Sequence, residues 1–280
     1  MLFDPVGVRL GKKPTKHDKH TPLLRNYLAT TLTPPSGWGW GRGQKSWGMM
    51  LNGPNSYGHG VPSDGLGDCT ISALGHGKQV LTLNASKETT PSDTSILTDY
   101  ENWCGYVLGD ESTDNGGVML DILNDAVAQG LFGNKLDAYT SIHILSTGSG
   151  NYNGIVVSQN DMMIAIWLFG GAYIGVQLPI SAQTQRTWHV PATPGPDDEP
   201  GSWGGHAIWV LSYNTHCLTC ITWGQLQQLT WEWLSVYCDE AYGLVDTAWL
   251  KATGVSPSNL NLTQLLADQS YLDQTIKMRG

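Results

Sequence analysis

The chain has 280 residues, 40% of them hydrophobic and 14% charged, with a net charge of −9, 34 glycines and 12 tryptophans. This describes a globular chain long enough for one large domain or two modest ones, each with a full core. It argues against nucleic acid as the main partner and, since the longest apolar run (Met162 to Phe169) is short and followed by glycines, against a membrane span.

Residues 1–60 read as an extended arm. Pro, Gly and single apolar residues alternate without a sustained period, and Pro34-Pro35-Ser36-Gly37-Trp38-Gly39-Trp40-Gly41 is a punctuated loop. The first residues carry charges but no apolar stretch of a secretory leader. The arm is basic: residues 1–45 balance to +6, and the remainder to −15. Without dense basic runs, such an arm is expected to lie on an acidic surface, its own or a neighbouring copy's.

The body, 61–250, begins with helices. Asp68 is the expected N-cap of a helix over Thr70 to Leu83, with Ile71, Leu74 and Leu81 on one face. Pro91-Ser92-Asp93 opens a second helix through Cys104. Asp114-Asn115-Gly116-Gly117 is a turn into a third, Val118 to Gln129, and Ser158 to Asp161 caps a fourth, Met162 to Leu168. Then the pattern changes. Strands are predicted at Ala172 to Leu178, His206 to Tyr213, Leu218 to Trp223 and Ala241 to Val245, with a helix over Thr230 to Tyr237. A polar amphipathic helix, Asn259 to Ile276, forms the tail 251–280. Helices first and strands later imply an α+β body, with a helical part (61–170), a β part (171–250) and a cleft between them. The Pro- and Gly-rich stretch Gln183 to Gly205 either gates a site or is a surface insertion.

Cys69 stands at a helix start, and 137 residues later His206 opens a strand. Those are the two halves of a cysteine-nucleophile site. The helix N-terminus and an adjacent imidazolium both favour the thiolate, whereas Asp68 opposes it unless its carboxylate is consumed as the cap.

Four segments in order resemble the papain superfamily of cysteine peptidases. Gly67-Asp68-Cys69-Thr70-Ile71-Ser72-Ala73 is similar to the segment that starts that family's central helix. Asp114-Asn115-Gly116-Gly117-Val118-Met119 is similar to its Cys-Asn-Gly-Gly-Leu-Met. Gly205-His206-Ala207-Ile208-Trp209-Val210 resembles its histidine strand, and Thr222-Trp223-Gly224 with Glu240-Ala241-Tyr242-Gly243 resembles its Asn-Ser-Trp-Gly and Gly-Tyr ending. The resemblance implies an α+β, papain-like fold with its central helix starting at Cys69 and an antiparallel β part. It also implies Cys69 as nucleophile, His206 as general acid and base, Trp223 as the ring shielding the histidine's third partner, a peptide or protein substrate, and no cofactor or metal.

The departures are specific. The family's orienting Asn falls on Ile221, which cannot accept an imidazole N–H; Thr222 can, only if strand face or register differs. The oxyanion glutamine falls on Ser63, a short side chain, with Asn52 or Asn55 as substitutes. Each missing role would cost acyl transfer roughly two to four kcal/mol. Two readings follow: a thiol hydrolase of peptide or amide bonds, or a catalytically degenerate scaffold of bacteriophage or prophage type, joined into a virion or other assembly through residues 1–45. The expected location is a bacterial host's cytoplasm or the virion. An odd cysteine count spread along the chain fits a reducing compartment rather than a disulfide framework.

Other clusters carry less. Cys217-Leu218-Thr219-Cys220 with Cys238 is a thin zinc motif without a second pair. His76 lies about 10 Å along the helix from Cys69. His59 sits in a Gly-rich loop, and His17 and His20 on the polar arm. Asp197-Asp198-Glu199 is a solvated turn or a cation site. Trp38, Trp40 and Trp47 are packing anchors or a ligand platform.

Overall fold

The computed structural model describes residues 8–28, 32–41, 44, 46–48, 64–85, 88–142, 144–146, 155–246 and 260–279. Six α-helices and ten strands lie among the described residues. The helices are α1 (Cys69–Asn84), α2 (Asp93–Cys104), α3 (Met119–Ala128), α4 (Gln159–Phe169), α5 (Trp231–Tyr237) and α6 (Leu262–Arg279). The strands are β1 (Trp38–Gly39), β2 (Ala138–Ser141), β3 (Ile144–Ser146), β4 (Ile155–Val157), β5 (Ala172–Leu178), β6 (Thr187–Trp188), β7 (Gly204–Tyr213), β8 (Cys217–Thr222), β9 (Gln225–Thr230) and β10 (Cys238–Val245). One sheet runs β2-β10-β5-β7-β8-β9-β6, with β1 beside β7, and β3-β4 forms a separate pair. Its neighbours are antiparallel apart from β6 on β9. No helix among the described residues is long and apolar enough to cross a membrane.

The sheet is packed on both faces, so its central strand reads as an apolar run. On β7, Ala207, Trp209 and Leu211 join a core with α1 and α3, while Ile208 and Val210 join a second core with α4 and α5. Helix α1 is buried through most of its length, as expected for one whose apolar and small residues surround it. Helix α6 docks on one stripe, Leu265, Gln269 and Leu272, where Gln269 Oε1 accepts the Tyr139 N–H across 3.3 Å.

Several local expectations change. The segment Gln183 to Gly205 is not one irregular loop: it holds β6, whose Trp188 is buried against Trp233 and Trp223. The gain from burying that indole ties the segment to the sheet edge. Gln225–Thr230, unassigned by pattern as far as Leu229, is a strand because it closes a two-residue hairpin with β8, and Thr230 ends it as the N-cap of α5. Trp38-Gly39, read as loop, pairs with Tyr213 and Ser212. Trp47 is buried, and the Trp40 indole donates to the Ile166 carbonyl across 2.7 Å, so both serve as anchors.

Candidate functional site

Cys69 is the first residue of α1 and His206 the third of β7. Both are buried, at 1% and 0% exposure. Asp68 occupies the cap position, yet its carboxylate makes no capping bond to the backbone and accepts the Ser72 hydroxyl across 2.9 Å. Its geometry (φ −93°, ψ 14°) lies outside the extended region usual for a capping side chain.

His206 Nε2 and Thr222 Oγ1 share a hydrogen bond of 2.7 Å. Sheet register explains why Thr222 and not Ile221 reaches the ring. Ile221 is the direct partner of Trp209 on β7, and Trp209, three residues from His206, points to the opposite face. Ile221 therefore enters the core with Trp209, and the next residue, Thr222, turns to the histidine. When Nε2 carries the proton, Thr222 Oγ1 accepts it and Nδ1 keeps a free lone pair. Nδ1 has no hydrogen-bond partner among the described residues, so none joins it to Cys69.

Trp223 stacks on the imidazole, with centroids 4.7 Å apart and planes 16° from parallel, and Trp203 backs it at 5.5 Å. A tight turn makes this possible. Trp223 (φ 48°) and Gly224 (φ 71°) are the two residues between β8 and β9, the left-handed pair that a two-residue hairpin requires. Trp223 pays about 1–2 kcal/mol for that conformation, offset by its burial at 4% exposure.

The arm covers the cysteine. Gly117 N–H donates to the Gly11 carbonyl (2.8 Å), Lys12 N–H to the Gly205 carbonyl (3.1 Å) and Lys13 N–H to the Gly117 carbonyl (2.9 Å). Residues 11–13 thus bridge the helical and β parts, and backbone groups of Gly11 and Ala207 both hydrogen-bond the Cys69 sulfur. Four of the arm's cations among the described residues are bound to the body. Arg9 reaches Asp64 (2.9 Å), Glu111 (2.7 Å) and Asp114 (3.2 Å). Lys12 reaches Asp239 (2.9 Å) and Glu240 (3.0 Å). Lys16 reaches Asp121, and Arg25 reaches Asp161. Of the two surfaces expected for the arm, these residues lie on their own.

Covered in this way, both site groups are neutral. Burial pushes the Cys69 thiol up to about 12, against the hydrogen bonds from Ala207 and Gly11. Burial pulls the His206 imidazole down to about 3. Unfolding restores the histidine to its ordinary value near 6.5, so protons favour the unfolded chain between those two values. The stability in question is complete above about pH 6.5 and is lost as pH falls toward 3, by up to roughly 1.4 kcal/mol per unit. His206→Gln should flatten that slope. Urea midpoints at pH 7 and pH 4.5 check it, and an unchanged slope would refute it. His76, buried beside Gln79 and pulled down to about 4, contributes a separate acid sensitivity.

Ser63, Asn52, Asn55 and His59 lie outside the described residues. The described residues contain no group of three or more His, Cys, Asp or Glu able to hold a metal, and all five cysteines are free. Asp198, from the acidic triplet, is buried and accepts the Gly195 N–H across 2.8 Å. His20 pairs with Asp18 on the surface. Sequence reasoning missed Arg9, Lys12, Asp114, Asp239 and Glu240. The one signal was the opposed charge of arm and body.

No protein-family model matches the chain, and no curated protein sequence does. Among solved structures, xylellain, a cysteine protease from Xylella fastidiosa, superposes with a TM-score of 0.58 at 12% identity, covering 84% of this chain and 95% of its own. The fold is papain-like. A structure from work on the mite allergens Blo t 1 and Der p 1 aligns at TM-score 0.48 and 12% identity, over 80% of this chain and 74% of that one. The cysteine protease CMS1MS2 of Carica candamarcensis, in complex with E-64, aligns at 0.45 and 12%, over 76% and 99%. A likeness at this identity speaks for the α+β papain-like fold and leaves the chemistry to the site.

Proposed function

We propose that the chain is a latent thiol hydrolase of peptide or amide bonds, held shut by its own arm. The observation that carries this reading is the Nε2 to Thr222 bond of 2.7 Å, which leaves Nδ1 as the open base beside the strand residue, Ala207, that also hydrogen-bonds the Cys69 sulfur. With the arm displaced, water reaches both groups, and the burial that keeps them neutral is relieved. His206 Nδ1 takes the Cys69 proton, and the thiolate attacks the carbonyl carbon. The tetrahedral oxyanion faces the backbone N–H groups at the start of α1. The C–N bond breaks, the amine leaves with the proton from His206, and water then hydrolyses the thioester by the same route. Thr222 holds the ring in the required tautomer, and Trp223 keeps water from that bond. Ser63 is the position proposed for the oxyanion side chain.

A scaffold role, virion-type or other, in which the fold is retained and the arm joins copies, is favoured by a different feature: the neutral, covered site. One experiment separates the readings. In the full chain carrying Gly11→Leu, an active-site-directed thiol reagent should label Cys69 in preference to the other four cysteines, and a peptide panel should be hydrolysed. Adding Cys69→Ala should abolish both. No labelling preference together with no hydrolysis would overturn the enzyme reading. A wild-type assembly that dissociates on loss of arm contacts would then support the scaffold.

A further inference from the structure

Lys12 is the most completely enclosed of the arm's ion-paired cations among the described residues. Its side chain is 0% exposed, and its Nζ lies 2.9 Å from Asp239 Oδ2, 3.0 Å from Glu240 Oε1 and 3.3 Å from Thr15 Oγ1. The two acids are consecutive on β10, where alternation would send them to opposite faces. A register shift between Cys238 and Glu240 against β5 removes that alternation, so both carboxylates reach one ammonium. The chamber is also carved for a long stem. Gly175 forms part of its wall, and a Cβ there would stand 2.1 Å from Lys12 Cε and 2.7 Å from Glu240 Cγ. Further side chains orient the acids: Gln177 Nε2 donates to Asp239 Oδ2 (2.6 Å) and the Tyr242 hydroxyl to Glu240 Oε2 (2.9 Å). Asp239 Oδ1 is buried with no hydrogen-bond partner among the described residues. Arm backbone on each side of the stem is paired to the cleft walls at Gly205 and Gly117, as an extended peptide entering the cleft would be.

We propose that this chamber is the recognition pocket for a cationic side chain, and that Lys12 is its built-in occupant. The proposal rests on the reading of the cleft as a peptide-binding groove. The substrate class it names is a peptide bearing lysine, or the longer arginine, at the position that lies over Gly175. The two carboxylates, Glu240 buried and Asp239 partly so, reject an acidic side chain by repulsion and leave an apolar one unable to satisfy them.

The test uses binding, so it stands apart from turnover. The full chain with Gly11→Leu, whose arm cannot seat, is titrated with a fluorescein-labelled peptide of the arm's sequence Val-Arg-Leu-Gly-Lys-Lys-Pro. Parallel peptides carry norleucine or glutamate in place of the first lysine. The lysine peptide should bind at least about tenfold more tightly than the norleucine peptide, with no binding by the glutamate peptide. Asp239→Asn with Glu240→Gln should erase the preference. Norleucine binding as well as lysine, or no peptide binding at all, would overturn the proposal. A chain that prefers lysine but hydrolyses nothing would refute the hydrolase reading and leave the pocket standing. A second measurement avoids the Gly11 variant. In the otherwise native chain Lys12→Met should expose the arm to limited proteolysis, and Lys12→Arg should not; equal protection of the Met variant and the wild type would count against the pocket.

Discussion

Replacing Gly11 by leucine is expected to raise the rate of Cys69 alkylation at pH 7 by at least about a hundredfold. A Cβ on Gly11 would stand 1.5 Å from the Gly67 carbonyl oxygen and 2.2 Å from its carbon. These are backbone atoms just ahead of α1, so no side-chain rotation relieves the clash, and the arm must leave the cleft. In the native chain the thiol lies near 12 because it is buried. Returning it toward 9 multiplies the thiolate fraction at neutral pH about a thousandfold, and the lower nucleophilicity of a more acidic thiol takes back part of that gain. Expelling the arm also frees Lys12, Asp239 and Glu240 to hydrate, so the variant should remain folded. Mass spectrometry after timed alkylation reads the result. A rate equal to wild type would show that Gly11 does not control access.

Asp114→Ala should destabilise the protein by about 3–5 kcal/mol. The Asp114 side chain is 1% exposed and binds three donors from distant parts of the chain. The Tyr100 hydroxyl donates to it across 2.6 Å, the Gly67 N–H across 3.0 Å, and Arg9 Nη1 across 3.2 Å. The Gly116 N–H in turn donates to the Tyr100 oxygen across 2.9 Å. One carboxylate therefore ties the approach to Cys69, helix α2, the Gly116-Gly117 turn and the arm. Alanine leaves a buried hydroxyl and a buried N–H without an acceptor, a loss that is a large fraction of the 5–15 kcal/mol typical of a folded domain. Asp114→Asn keeps the shape and one acceptor oxygen and should cost less. Urea unfolding midpoints measure both, and equal midpoints for the alanine variant and wild type would refute the assignment.

Short-range physics made much of the body legible in the sequence. The Ser158 hydroxyl caps α4 through the Asp161 N–H, as a serine before an apolar run should. The stretch His206 to Tyr213 reads as a strand, and β7 spans Gly204–Tyr213. Asp68 takes the expected N-cap position but makes no side-chain cap bond, because cap geometry depends on the backbone leading into the helix, and here the Gly67 N–H is drawn to Asp114, 47 residues away in sequence. Strands β6 and β9 escaped notice because Gln225–Thr230 lacks an apolar alternation and Thr187–Trp188 is too short to carry one; pairing alone makes them strands.

The amino-acid sequence by itself determined that this is an α+β chain with a papain-like order of elements, that a cysteine begins its central helix and a histidine opens a later strand, and that a basic arm faces an acidic body. Those properties are carried by side-chain type and by periods of two or 3.6 residues. Only the tertiary structure decided the rest. Strand register turned Thr222 rather than Ile221 to His206, since a single step along a strand exchanges its faces. A bulge aimed Asp239 and Glu240 at one ammonium. Three glycines far apart in sequence, Gly11, Gly67 and Gly116, let the arm close over Cys69, because the approach of backbone to backbone is set by what the intervening chain brings together.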